Sequence, residues 1–189
     1  YGRVLNEDTL KKLKTWVRGG GKVIALGRAA ASFAGKEGFE LANNEDASKK
    51  DSTKTKKPNL TPYDQRERES VKDFITGSIY KLSIDNSHPM AFGYSNTYFS
   101  LKQGKDSYQF LGDGYNVGYI KDDAISVSGF SGKDAKAGLK NSMVFGEARM
   151  GKGSIIYLAD DVLFRSFWEN GKLFFANAIF FVNNNKPEL

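Results

Sequence analysis

Cysteine is absent from the chain and histidine occurs once, as His88. These counts remove cysteine nucleophiles, thiolate metal sites and histidine-rich metal sites together. A zinc site built on one imidazole would need carboxylates for its other ligands, which suit zinc poorly. His88 stands in Asp85-Asn86-Ser87-His88-Pro89-Met90. It could serve as a general base or a metal ligand, but the sequence positions no nucleophile beside it. The plainer reading is an imidazole that fixes a turn by hydrogen bonds to the backbone. Gly27-Arg28-Ala29-Ala30-Ala31 is a small-residue turn of the kind that presents a nucleophile between a strand and a helix. Alanine stands where cysteine or serine would be needed. Ser32 lies further on, outside any Gly-x-Ser-x-Gly frame, and reads as a helix-start serine. Asp160-Asp161 follows a strongly apolar stretch, at the kind of strand end where α/β proteins place ligand-binding groups. The pair could hold magnesium or pair with Arg165. The preferred reading is a cap over Leu163 and Phe164.

The remaining chemical signals are weak. Gly19-Gly20-Gly21 ends a helical pattern, and neither the Walker spacing nor Gly-x-Gly-x-x-Gly after a strand occurs. Lys and Arg total 28 against 22 Asp and Glu, a net +6, and the stretch 47–57 alone holds five lysines against one aspartate. That excess sits in an expected loop rather than on an ordered face with aromatics, so nucleic-acid binding is not indicated. Tyr94, Tyr98, Tyr108, Tyr115 and Tyr119 could line a glycan- or peptide-binding surface. Aromatics alternating on strands more often pack a sheet.

The elements that must position these residues follow from periodicity. Asn6-Glu7-Asp8-Thr9 has a capping residue and acids for the start of a helix. Leu10, Leu13, Trp16 and Val17 recur at helical spacing. After the glycines, Lys22 to Leu26 reads as a short buried strand. A helix entering a buried strand through a tight turn is the second half of a βαβ unit, which predicts a strand preceding Tyr1. Residues 64–69 read as a solvated helix face running towards Phe74 and Ile75. Between about 77 and 148 short aromatic-rich segments alternate with Gly, Asn and Asp, as in antiparallel strands. Ser154 to Ala159 is the clearest buried strand, and Leu173 to Val182 a largely buried helix. With 40% hydrophobic and 26% charged residues, whole-chain disorder is excluded. No apolar run reaches the roughly 20 residues of a membrane span. The expectation is one α/β domain over 1–189, with an exposed insertion at about 40–62 and a β-rich extension at about 77–148.

Two sets of phrases carry a family resemblance. The run Leu10-x-x-Leu13-x-x-Trp16-Val17 through Gly21-Lys22-Val23-Ile24-Ala25-Leu26 resembles the helix–strand step before the nucleophile elbow of class I glutamine amidotransferase-like domains. Such amidotransferases carry cysteine at the elbow and a later His-x-Glu; here alanine stands at the elbow and His-x-Glu is absent. More narrowly, Gly77-Ser78-Ile79, Asp85-x-x-His88-Pro89-Met90-Ala91-Phe92-Gly93, the stretch from Gly151 through Asp160-Asp161 to Trp168, and Asn177-Ala178-Ile179-Phe180-Phe181 are similar to the C-terminal amidotransferase-like region of large bacterial zinc carboxypeptidases. The resemblance implies an amidotransferase-like (flavodoxin-like) doubly wound sheet, N-terminally truncated, with an antiparallel β-rich extension. It implies a non-catalytic accessory domain of a secreted or periplasmic metallopeptidase whose peptidase domain, with its zinc, lies upstream. The family's zinc motif His-x-x-Glu is absent, since Pro89, Met90 and Ala91 follow His88. No catalytic, cofactor-binding or metal-ligating residue is therefore carried onto this chain. The expected partner is the peptidase domain of the same polypeptide, and an exposed sheet edge would favour self-association.

Overall fold

The computed structural model describes residues 5–44 and 60–183; most of the expected insertion lies outside them. Helix α1 (Glu7–Arg18) starts where Asn6 accepts hydrogen bonds from the Thr9 amide and hydroxyl, each at 2.9 Å. It buries Leu10 and Val17. Gly20, at φ +116°, turns the chain into strand β1 (Lys22–Leu26). A 3₁₀ turn (Gly27–Ser32) follows, then α2 (Tyr63–Val71), which buries nothing. Five strands come next, interrupted by the short α3 (Lys133–Ala137). They are β2 (Ile75–Ile84), β3 (Thr97–Lys102), β4 (Tyr115–Ile120), β5 (Ser126–Ser131) and β6 (Ser142–Met150). Strand β7 (Gly153–Leu158) and helix α4 (Glu169–Phe180) follow, with 3₁₀ turns at Pro89–Ala91 and Phe164–Ser166.

All seven strands join one sheet in the order β1-β7-β6-β4-β2-β3, with β5 also paired to β2. The protein is a mixed α/β fold. β1 and β7 are adjacent and parallel, Lys22 opposite Ser154 and Leu26 opposite Leu158. Every other pairing is antiparallel. The β-rich middle is thus a continuation of the sheet, joined through the β6–β7 hairpin. The physical reason is that hairpin's two-residue turn, where Gly151 takes φ +61°: a connection that short can only return antiparallel. Strand β2 is long enough to hold β3 along one side and both β4 and β5 along the other, since Ser83 pairs with Thr97 and Tyr119 while Ile79 pairs with Leu101 and Ser128.

Both faces of the parallel pair are covered. Ile155 and Tyr157 of β7 pack with Leu10, Val17, Ala30 and Phe33 on the α1 face. Ile156 and Leu158 pack with Phe145, Phe174 and Ala178 on the α4 face. Phe174 anchors that side, its ring 4.2 Å from Tyr94, 4.9 Å from Phe145 and 5.1 Å from Tyr98. The first residues of the expected exposed insertion, about 40–62, belong instead to the core: Leu41 is buried, and Asn43 bridges to Tyr108. Helix α3 starts after Gly132, which lies so close to Lys72 that a side chain there would strike its carbonyl. A second local expectation is corrected. Ile75 belongs to β2 and not to the helix before it, its alternating burial satisfying the sheet period.

Two consequences are measurable. A Cβ at Gly153 would sit 2.1 Å from the carbonyls of Val17 and Gly21. Gly153→Ala should therefore cost about 1–3 kcal/mol in urea unfolding, whereas Gly104→Ala, with nothing within 4 Å, should stay within about 0.5 kcal/mol. Burial pushes the Tyr94 phenol up to about 12, and burial also raises Tyr80, Tyr98, Tyr108 and Tyr157. Unfolded tyrosine ionises near about 10, so these groups favour the fold below that pH, and their contribution is lost as pH rises through the folded values. Phenolate absorbance followed with circular dichroism should show them ionising only as the fold is lost. Ionisation of all nine tyrosines near the unperturbed value, with the fold intact, would contradict this.

Candidate functional site

Two clefts gather the polar groups. The first, about 510 Å³, opens at the carboxyl ends of β1 and β7 and is lined by Gly27, Arg28, Lys102 and Asp160 among others. From here the chain leaves β1 towards the α1 face and leaves β7 towards α4. Such a divergence of parallel strands is where open α/β sheets bind ligands. Here the crevice is occupied by the protein's own chemistry. Lys102 donates to Asp160 Oδ1 at 2.9 Å and to the Asp106 carbonyl at 3.1 Å, and the Ser100 hydroxyl donates to Asp160 Oδ2 at 2.5 Å. The ion pair is buried, with side chains 4% and 7% exposed. Ser100 and Lys102 sit two apart on β3 and so share a face. Asp160 is therefore not the cap expected of it. Asp161 takes that part, accepting from the Leu163 amide at 3.0 Å. Arg165 lies over the Phe164 ring, 5.2 Å away, and makes no ion pair with the aspartates.

The elbow after β1 offers no nucleophile. Gly27 adopts φ +55° beside Asp161, and Ala30 is fully buried in the α1-face core. Ser32, half-buried, lies between Ala30 and Phe33 of that same core.

His88 lies across the sheet from it, beside Met90 and Ala91 of the α4-face core. The loop is pinned to α4 because Asn177 donates to the carbonyls of Met90 (3.1 Å) and Phe92 (2.7 Å). His88 Nδ1 accepts from the Met90 amide at 3.2 Å, the turn-fixing bond expected of it. That bond assigns the hydrogen to Nε2, which donates to Glu147 Oε2 at 3.0 Å. Both ring nitrogens are thus engaged. No Ser32–His88 pair is assembled, because the two flank different cores.

Glu147 and His88 open on the second cleft, about 690 Å³, which extends past Tyr115, Arg149 and Lys152 to Phe181 at the end of α4. Tyr115 stands opposite Glu147 in the β4–β6 register, its ring 5.2 Å from His88 and 5.3 Å from the Arg149 guanidinium. Lys22 lies near enough to Glu147 for the carboxylate to raise its pKa, but burial dominates and lowers it.

Among the tyrosines considered for a binding surface, Tyr98 and Tyr108 are core, Tyr94 and Tyr119 half-buried, and only Tyr115 is exposed. They form no continuous exposed stripe. Lys102 and Glu147 are the residues the sequence reading passed over. Each had a signal: Lys102 continues the alternation Tyr98-Ser100-Lys102, and Glu147 is the lone acid in its strand, following the apolar run Met143 to Gly146. Among the described residues, no group of three or more His, Asp or Glu side chains could hold a metal ion, and no helix is long and apolar enough to cross a membrane. No known family model, curated protein or solved structure matches the chain.

The ion pair makes a specific demand. Lys102→Met or Asp160→Leu alone should destabilise by about 3–5 kcal/mol, because each strands a buried polar partner, while the double replacement Lys102→Met/Asp160→Leu should recover much of the loss. Additive losses in denaturant titrations would refute the coupling.

Proposed function

We propose that this chain is a non-catalytic accessory domain of amidotransferase-like fold, belonging to a secreted or periplasmic zinc metallocarboxypeptidase whose peptidase domain precedes it. The observation that carries this reading is the crevice beyond β1 and β7. Where an amidotransferase-like sheet would present its nucleophile, the chain places Arg28-Ala29-Ala30-Ala31, with Ala30 in the core. The charged groups across the crevice, Lys102 and Asp160, are bound to each other. The ordered phrases around His88, Asp160-Asp161 and Asn177 lend the family assignment its support.

A docking role is supported by the end of the sheet. β1 is a terminal strand in the sheet order and, among the described residues, pairs with β7 alone. Beside it lie exposed aromatics on both flanks: Trp16 on α1, and Phe180 and Phe181 at the end of α4. Lys22 of β1 reaches the α4 carbonyls of Ala178 and Ile179, which places that helix end next to the strand. An open strand edge with apolar flanks suits packing against further polypeptide, here the peptidase domain of the same chain.

The test is direct. The purified chain, equilibrated with zinc and dialysed, should retain no stoichiometric zinc and should not release carboxyl-terminal residues from peptides. Tight one-to-one zinc with hydrolysis would overturn the reading. The open edge should also give concentration-dependent self-association in sedimentation when the chain is studied by itself, and a monomer at every concentration would count against edge pairing.

A further inference from the structure

The second cleft contains a charge arrangement that the accessory-domain reading does not use. Glu147 is buried in the sheet, only 5% exposed. Its Oε2 accepts the His88 hydrogen. Its Oε1 has no donor among the described residues, and the side chain faces the cleft. His88 cannot neutralise it: an imidazole whose Nδ1 accepts from the Met90 amide carries one hydrogen, on Nε2, and no charge. The nearby ammonium of Lys22 is engaged by the carbonyls at the end of α4.

Positive charge stands beside Glu147 on the same face of β6. Arg149, two residues along β6, lays its guanidinium over the Tyr115 ring and makes no ion pair among the described residues. Lys152, in the β6–β7 turn, makes none either. A guanidinium held against an aromatic face keeps its planar fork of donors available for a carboxylate. A simple anion entering here would meet Glu147, and a simple cation would meet Arg149 and Lys152. A molecule carrying both charges answers the acid and the guanidinium together.

We propose that this cleft binds a small amino-acid-type zwitterion. The ligand's ammonium donates to Glu147 Oε1, its carboxylate pairs with Arg149, and Lys152 adds attraction at the rim. The volume, about 690 Å³, exceeds what one backbone zwitterion fills and falls in the usual range for small-molecule sites. The remaining space leads to Phe181, half-exposed at the cleft wall and stacked edge-on with Phe92 at 5.6 Å. That wall favours an apolar or aromatic side chain. The proposal stands independently of the parent enzyme's identity.

The experiment is an amide chemical-shift titration of the intact chain with L-phenylalanine, alongside phenylacetate, which lacks the ammonium, and phenethylamine, which lacks the carboxylate. The expected result is saturable shifts at Tyr115, Glu147, Arg149 and Gly151, with each analogue binding about tenfold or more weakly, the loss of roughly one charge-assisted contact. Arg149→Met keeps an unbranched side chain at this exposed position and should weaken L-phenylalanine about tenfold without moving the melting temperature. Glu147→Gln keeps an acceptor for His88 and should do the same to binding. If the glutamine variant unfolds, the exposed Arg149 variant and the two analogues still decide. Absence of saturable shifts with L-phenylalanine overturns the proposal. So does phenylacetate binding equally well, which would make the cleft an anion site only, or an Arg149→Met variant that binds unchanged.

Discussion

One buried contact fixes the shape of this molecule. Lys102 and Ser100 belong to β3, the far end of the strand order, and Asp160 follows β7, next to the opposite end. For these groups to meet within hydrogen-bond distance the sheet must curl on itself. Two further bonds lie along the same seam: Trp168 donates to the Tyr98 hydroxyl at 3.2 Å, and Asn170 reaches the Phe99 carbonyl at 3.5 Å. A lysine and an aspartate removed from water are expensive to bury and tolerable only when they find each other. The pair therefore penalises any arrangement in which β3 slips by one residue, because such a slip would turn Ser100 and Lys102 to the opposite face. Its contribution is to select one curl among several that apolar packing alone would accept.

The curl explains why the sheet has two kinds of chemistry. At the parallel end, β7 is buried throughout and sandwiched between α1 and α4, so charged side chains stand there only where the strands end. That is where Asp160 sits. Along β6 the charged residues come late, at Glu147 and Arg149. The first site is closed by internal pairing. The second is left with charges on its walls because the His88 loop, tied to α4 through Asn177, supplies a dipole instead of a counter-ion.

Much of this was legible in the residues, and the unread part has a consistent cause. Local signals were sound: Asn6 as a cap, the glycine turn before β1, the buried run of β7, and the turn-fixing role of His88 all depend on neighbours within a few positions. The empty elbow was visible as Ala29 to Ala31. Pairings between distant segments were not visible. Asp160 read as a cap because a cap is a local arrangement, whereas its partner comes from a strand 58 positions away. Glu147 meets His88 across 59 positions. The sheet's continuity was hidden for the same reason: strand order depends on which edges meet, and alternation along one strand carries no information about its neighbour. The parallel pair was anticipated as a doubly wound core, but only one such pair exists among the described residues.

The bond from Lys22 to the carbonyls of Ala178 and Ile179 joins residues 156 and 157 positions apart. The last turn of α4 leaves carbonyls that no further amide can satisfy, and an ammonium from the first strand takes up two of them. The last described helix is thus finished by the first described strand. Fraying, which ordinarily begins independently at each terminus, becomes here a shared event: loosening β1 releases the end of α4, and unwinding α4 strips β1 of a tether. The early and late segments behave as one cooperative unit, so damage to either is reported at both.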